Sequence, residues 1–171
     1  TAFIDDPSLT DRSGKPRRRA LVRVILDNRL RIKLDSRLVA TAPTTPTIVF
    51  TNSHDTDKIR RLRNAGVDVV QAETGGRDLV RLLDELKARG LQSVLVEGGT
   101  EVAGAFCDAR LIDKVTFIVA PFIIGGPDAP AAVGGTGVAS LTEALRLTDL
   151  SIERLGDDVE ITGYPAQSRE R

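Results

Sequence analysis

The sequence predicts an α/β protein whose mostly parallel sheet finishes in antiparallel strands, and three observations predict it. Short apolar runs suited to buried strands alternate with helical segments over residues 20–109. Two further runs near the end flank Gly156-Asp157-Asp158, close enough to pair as a hairpin. Between these regions stands Val94-Leu95-Val96-Glu97-Gly98-Gly99-Thr100-Glu101-Val102-Ala103-Gly104-Ala105-Phe106. There an apolar strand ends in a carboxylate and two glycines and gives way to a helix. In open α/β sheets ligands bind beyond such carboxyl ends.

Composition narrows the class. With 171 residues, one domain is expected, spanning residues 1–165 and followed by a polar tail, 166–171. Lysine and arginine number 24, as do aspartate and glutamate. That balance argues against nucleic acid or an anionic membrane as the main partner. A lone Cys107 excludes an intrachain disulfide framework, and with a single histidine, His54, no metal site is expected. No apolar run approaches the ~18 residues of a membrane span, and no signal-peptide pattern opens the chain, so a cytoplasmic protein is expected. The sequence contains no methionine. It therefore reads as part of a longer polypeptide.

The elements follow in order. Asp6-Pro7 keeps Asp6 out of the helical region, so the opening is an extended or turning segment. Arg17-Arg18-Arg19 leads into a first strand over Ala20–Asp27, with Asn28 and Arg29 just past it. Residues 30–42 are irregular with room for one short turn. Thr47–Thr51 is the second strand. Asp55 caps a helix bearing Ile59 and Leu62 and stopped at Gly66. Val67–Gln71 is the third strand. Leu79, Leu82, Leu83 and Leu86 share one face of a helix over Asp78–Arg89 and read as core. Ser93–Val96 is expected as the fourth strand, and the helix after the glycines runs to about Ala109. Lys114–Pro121 is a fifth strand, followed by a Gly/Pro/Ala-rich stretch, 122–138, and the hairpin strands Leu147–Leu155 and Val159–Tyr164.

Four segments should meet at the carboxyl edge: Asn28-Arg29, Thr51-Asn52-Ser53, Glu97-Gly98-Gly99 and residues 120–126. Glycine backbone and a helix N-terminus suit a phosphate, so the cleft reads as a nucleotide site. Gly104, one turn on, would let the helix lie close to the sheet. Neither standard motif accounts for it. No Gly-Lys-Ser/Thr follows the glycines, and the Gly-Gly pair comes late rather than after the first strand.

Asp5-Asp6-Pro7-Ser8-Leu9-Thr10-Asp11-Arg12, the strand ending Leu26-Asp27, Val96-Glu97-Gly98-Gly99 with Ala103-Gly104, and Ile118-Val119-Ala120-Pro121 with Gly125-Gly126 occur in one order. Together they resemble the reductase domain of the bifunctional riboflavin-biosynthesis deaminase/reductase, with its dihydrofolate-reductase-like three-layer fold. The likeness covers nearly the whole chain, although the family's first strand and helix are missing. It implies NADPH-dependent reduction of 5-amino-6-(5-phosphoribosylamino)uracil, in which ribosyl becomes ribityl. By that likeness Thr1 and Asp5 border the cofactor, and Leu9 and Arg12 meet the substrate. Asn28 lies near the cofactor's ribose-phosphate end and Glu97 touches substrate. Gly99, Thr100, Glu101, Val102, Ala103, Gly104 and Ala105 wrap the pyrophosphate. A homodimer and a fused upstream deaminase are also implied. One cysteine and one histidine cannot supply that deaminase's zinc motif.

The chemistry of these residues is consistent with those roles, and each has a plainer reading. Arg12 offers a permanently charged fork for a phosphate, or is a solvated loop residue. Asp5 and Asp6 border the site or simply turn the chain. Asn28, Arg29 and Ser53 hold a 2′-phosphate or are exposed loop polarity. Glu97, the candidate catalytic residue, either delivers a proton to the departing ring oxygen or holds a sugar hydroxyl. Cys107 reads as a packing thiol and His54 as a loop residue. Rival readings are the related reductase of 2,5-diamino-6-ribosylamino-pyrimidinone 5′-phosphate, a non-catalytic nucleotide-binding module, and a sugar-phosphate-binding regulator.

Overall fold

The computed structural model describes residues 5–11, 13–16 and 19–166. Thr1 and Arg12, both named above as site residues, lie outside them. The chain divides into two compact units, Thr1–Val94 and Leu95–Arg171.

In the first unit three strands form a parallel sheet in the order β1 (Arg23–Leu26), β2 (Thr47–Thr51), β3 (Asp68–Gln71). Alternation along the strands sends side chains to opposite faces, and both faces are covered. Ile25, Val49 and Val69 share a register row and join Leu38 and Val39 of α1 (Arg37–Ala40) with Ile59 and Leu62 of α2 (Thr56–Asn64) in one core cluster. Ile48 and Phe50 face the other way, toward Leu82 and Leu86 of α3 (Leu79–Ala88). The unit is thus helix, sheet, helix. The expected caps form: Asp55 accepts from the Lys58 amide (2.9 Å) and Asp78 from the Arg81 amide (3.0 Å). Leu79, Leu82 and Leu86 are buried, as their spacing predicts.

The second unit carries α4 (Thr100–Asp108) and an antiparallel sheet in the order β4 (Val115–Val119), β6 (Asp158–Pro165), β5 (Leu147–Leu155). The C-terminal hairpin is therefore present, with Leu155 opposite Asp158. A register shift between Thr148 and Ser151 interrupts β5, where Asp149 has φ +51°. Leu150 sits over Gly163 there: a Cβ at 163 would lie 2.6 Å from its Cδ2.

One expectation changes. Residues 93–96 form no strand, and Leu95 is 80% exposed. Their side chains favour extended backbone, but a strand also needs a neighbour to complete its hydrogen bonds. Among the described residues no ladder includes them. The strands that do form are the parallel set and the antiparallel finish the sequence predicts, as two sheets of three. Asp6 does leave the right-handed helical region, with a left-handed φ of +39° beside a turn at Asp5. Among the described residues no helix is long and apolar enough to cross a membrane.

Candidate active site

The carboxyl end of the parallel sheet is built around Asn28. Its side-chain oxygen accepts the Gly76 amide (2.8 Å), and its backbone carbonyl accepts the Thr51 hydroxyl (3.2 Å). Gly75 has φ +58°, and a Cβ there would lie 2.2 Å from Asn28 Oδ1. Only glycine fits both the conformation and the approach. The Thr74-Gly75-Gly76 turn is a part of this edge that the sequence reading passed over. Its signal was a Gly-Gly pair shortly after β3, which ends at Gln71, at the same end as Asn28. Thr51 Oγ1 in turn accepts the Ser53 amide (3.1 Å), so strand-end polarity here is largely engaged in holding the loops. Asp27, 2% exposed, accepts the Ile32 amide (2.8 Å). His54 is exposed.

Ahead of this sheet, Asp5 is exposed in a turn, and Leu9 is partly buried against the first core cluster with φ +46°.

The second unit places Glu97, exposed, directly before Gly98 and Gly99. Gly99 is the N-cap of α4 with φ −65° and ψ 177°, and no side chain caps the helix. Neither glycine has a positive φ. Close approach is what requires Gly98: a Cβ there would lie 2.7 Å from Cβ of Val102. With no side chain at the cap, the first amides of the helix carry its positive end toward whatever anion lies beyond Gly99.

Gly104 faces a different neighbour from the one expected. A Cβ there would come within 2.2 Å of the Gly134 carbonyl and 2.3 Å of the Gly135 nitrogen. The glycine lets the Gly134–Gly137 loop, not the sheet, lie on the helix. Thr100, Gly104 and Asp108, each one helical turn apart, make this face. The Thr100 carbonyl accepts the Gly134 amide (2.9 Å), and the Asp108 carboxylate accepts those of Thr136 (2.6 Å) and Gly137 (3.1 Å). These amides, Thr136 first, hold the Asp108 carboxyl below its ordinary value.

A carboxylate with a lowered folded-state value stabilises the fold above its unfolded value, about 3.9. That contribution is lost as pH falls through the lowered folded value. Amide-exchange protection of Thr136 and Gly137 is expected to fall as pH passes through that window. Asp108→Asn should lower protection already at neutral pH and flatten this dependence. Cys107 is half-buried, and burial, followed by the Asp108 charge, raises its thiol, as befits packing rather than nucleophilic use.

The sequence-predicted residues thus divide between the units. Asp5, Leu9 and Asn28 belong to the first, and Glu97 with the run Gly99–Ala105 to the second.

A family model described as the RibD C-terminal domain matches residues 1–161. The chain belongs to that family. The riboflavin biosynthesis protein RibD of Bacillus amyloliquefaciens is 34% identical over 171 residues, covering 99% of this chain and 46% of its own length. The 2,5-diamino-6-ribosylamino-4(3H)-pyrimidinone 5′-phosphate reductase of Methanothermobacter thermautotrophicus is 31% identical over 161 residues, or 93% of this chain and 73% of that one. The solved structure of Acinetobacter baumannii RibD matches with a TM-score of 0.77 at 25% identity, over 96% of this chain and 44% of its own. This RibD C-terminal domain therefore has the dihydrofolate-reductase-like fold, and it spans under half the length of the RibD relatives just named.

Proposed function

We propose that this domain performs the NADPH-dependent reduction of 5-amino-6-(5-phosphoribosylamino)uracil to its ribitylamino product in riboflavin biosynthesis. The observation that carries the reading is the helix N-terminus after Glu97, capped by Gly99 and by no side chain.

The donor set fits a dinucleotide diphosphate. Gly99 leaves the approach open, and Thr100, Glu101, Val102, Ala103 and Ala105 follow on the helix that the diphosphate would meet. Gly104 acts indirectly, by seating the Gly134–Gly137 loop. Asn28 fixes the Gly75–Gly76 turn, which suits the ribose-phosphate end, and Asp5 and Thr1 would border the cofactor. When bound, the nicotinamide supplies the hydride taken up at C1′ of the sugar. As C1′ is reduced its bond to the ring oxygen breaks, and that oxygen takes up a proton. Glu97 is exposed. Contact with a sugar hydroxyl is the role proposed for it first, with delivery of that proton, directly or through water, as the second. Leu9 offers an apolar contact to the pyrimidine and Arg12 a charge to the phosphate. Holding the reactants in place supplies most of the rate.

The archaeal relative, of which this chain covers 73%, favours one second reading, the diamino-pyrimidinone phosphate as substrate. Turnover of each pyrimidine by the full-length protein separates the two. Arg12→Ala is expected to cost about 1.5–3 kcal/mol of binding for phosphorylated substrate, the range for a charged hydrogen bond. The dephosphorylated analogue should be affected far less, and equal losses for both would remove the phosphate role.

The RibD relatives extend well beyond this domain, which is consistent with a fused deaminase in a cytoplasmic protein. A homodimer has support in the antiparallel sheet. Val115, Phe117, Val119, Ile152, Val159 and Ile161 share one of its faces by register, and Val119 and Ile152 are more than half exposed.

A further inference from the structure

Arg23 is 2% exposed and makes five hydrogen bonds. Its Nε donates to Thr47 Oγ1 (3.0 Å). Nη1 donates to the Ser8 carbonyl (3.1 Å) and to Thr41 Oγ1 (2.7 Å). Nη2 donates to the carbonyls of Leu38 (3.1 Å) and Thr45 (2.9 Å). All five acceptors are neutral. A buried cation without a carboxylate is a costly way to fill space, and an apolar side chain of similar size would avoid the desolvation. What the guanidinium adds is geometry: a planar fork that reaches five acceptors on several segments at once. Four of them lie between Leu38 and Thr47. The fifth is in the opening segment.

That segment has two more anchors on the same unit. Asp6 Oδ1 accepts the Arg37 amide at the start of α1 (2.9 Å), and the carboxylate lies 3.7 Å from Arg37 Nε. Leu9 packs against the first core cluster. Asp6 and Leu9 both have positive φ, at +39° and +46°. Non-glycine residues rarely adopt that conformation unless their surroundings impose it. Three fixed points in four residues therefore hold the backbone in a shape it would not choose alone.

We propose that Arg23 and Asp6 are positioning residues for substrate, holding the Asp5–Asp11 segment in its binding shape before the pyrimidine arrives. The inference rests on the reading above in which Leu9 and Arg12 meet the substrate. Preorganisation of this kind raises affinity by removing the ordering cost at binding. Lysine at 23 keeps the charge but cannot span five acceptors. Alanine at 6 removes an exposed anchor without opening the core, whereas asparagine keeps an oxygen for the Arg37 amide.

The test uses the full-length protein and measures two things: hydrogen exchange of the peptide covering residues 5–11, and calorimetric binding of the phosphorylated pyrimidine. Arg23→Lys and Asp6→Ala are expected to speed exchange there and to weaken pyrimidine binding roughly tenfold, with nicotinamide dinucleotide affinity changing much less. Asp6→Asn should restore most of both losses. Unchanged exchange in folded Asp6→Ala overturns the anchoring. Faster exchange with unchanged pyrimidine affinity, or no pyrimidine binding by the wild type, overturns the positioning role through the functional reading, while leaving the anchoring itself measured.

Discussion

Gly99→Val is expected to lower affinity for NADPH at least ~100-fold, or about 2.7 kcal/mol, with melting behaviour close to wild type. The backbone at Gly99, φ −65° and ψ 177°, is extended and open to any residue. Valine therefore brings little conformational strain. What it brings is bulk directly before the first amides of α4, where the diphosphate is proposed to rest. The neighbouring position cannot serve, because a side chain at Gly98 collides with Val102 whether or not a nucleotide binds. A titration of both proteins with NADPH, alongside thermal unfolding, checks the prediction. Wild-type affinity in a folded Gly99→Val protein would count against a nucleotide at this helix end.

Gly104→Ala is expected to destabilise the protein although helix propensity favours it. Alanine in a helix interior is better than glycine by about 1 kcal/mol. Here the new methyl would sit 2.2 Å from the Gly134 carbonyl and 2.3 Å from the Gly135 nitrogen. Backbone cannot rotate away as a side-chain tip can, so the loop must lift or the helix must shift. Overpacking of this kind costs about 1–3 kcal/mol, and lifting the loop would also weaken its bonds to Thr100 and Asp108. Net destabilisation, with lost exchange protection at Thr136 and Gly137, is the expected outcome. A stabilised variant would mean that the loop does not lie on α4.

Much of the fold could be read from the sequence because it rests on local chemistry. Asp55 and Asp78 announce their helices, the leucines of α3 fall on one face, and β2 is apolar because both of its faces are covered. Strand pairing is not local. Val94-Leu95-Val96 has the composition of a strand, yet a strand also needs a partner, and no pairing includes these residues among those described. At Glu97-Gly98-Gly99 the residue types mark a helix start, and α4 does begin there. Long-range contacts were not legible: Gly104 under Gly134, Asn28 under Gly76, and Arg23 reaching Ser8 across 15 residues. Arg23 in particular sits in an apolar strand as one basic residue among many near it, and only its acceptors distinguish it.

The most direct test of the central claim follows the hydride itself. The full-length protein is supplied with NADPH deuterated at the transferring carbon and with 5-amino-6-(5-phosphoribosylamino)uracil, and the product is read by mass and magnetic resonance. A ribitylamino product carrying a single deuterium at C1′ is the predicted result. Bound cofactor with no label in any product, from this pyrimidine or its diamino relative, would contradict it and leave a domain that holds nucleotide without reducing anything.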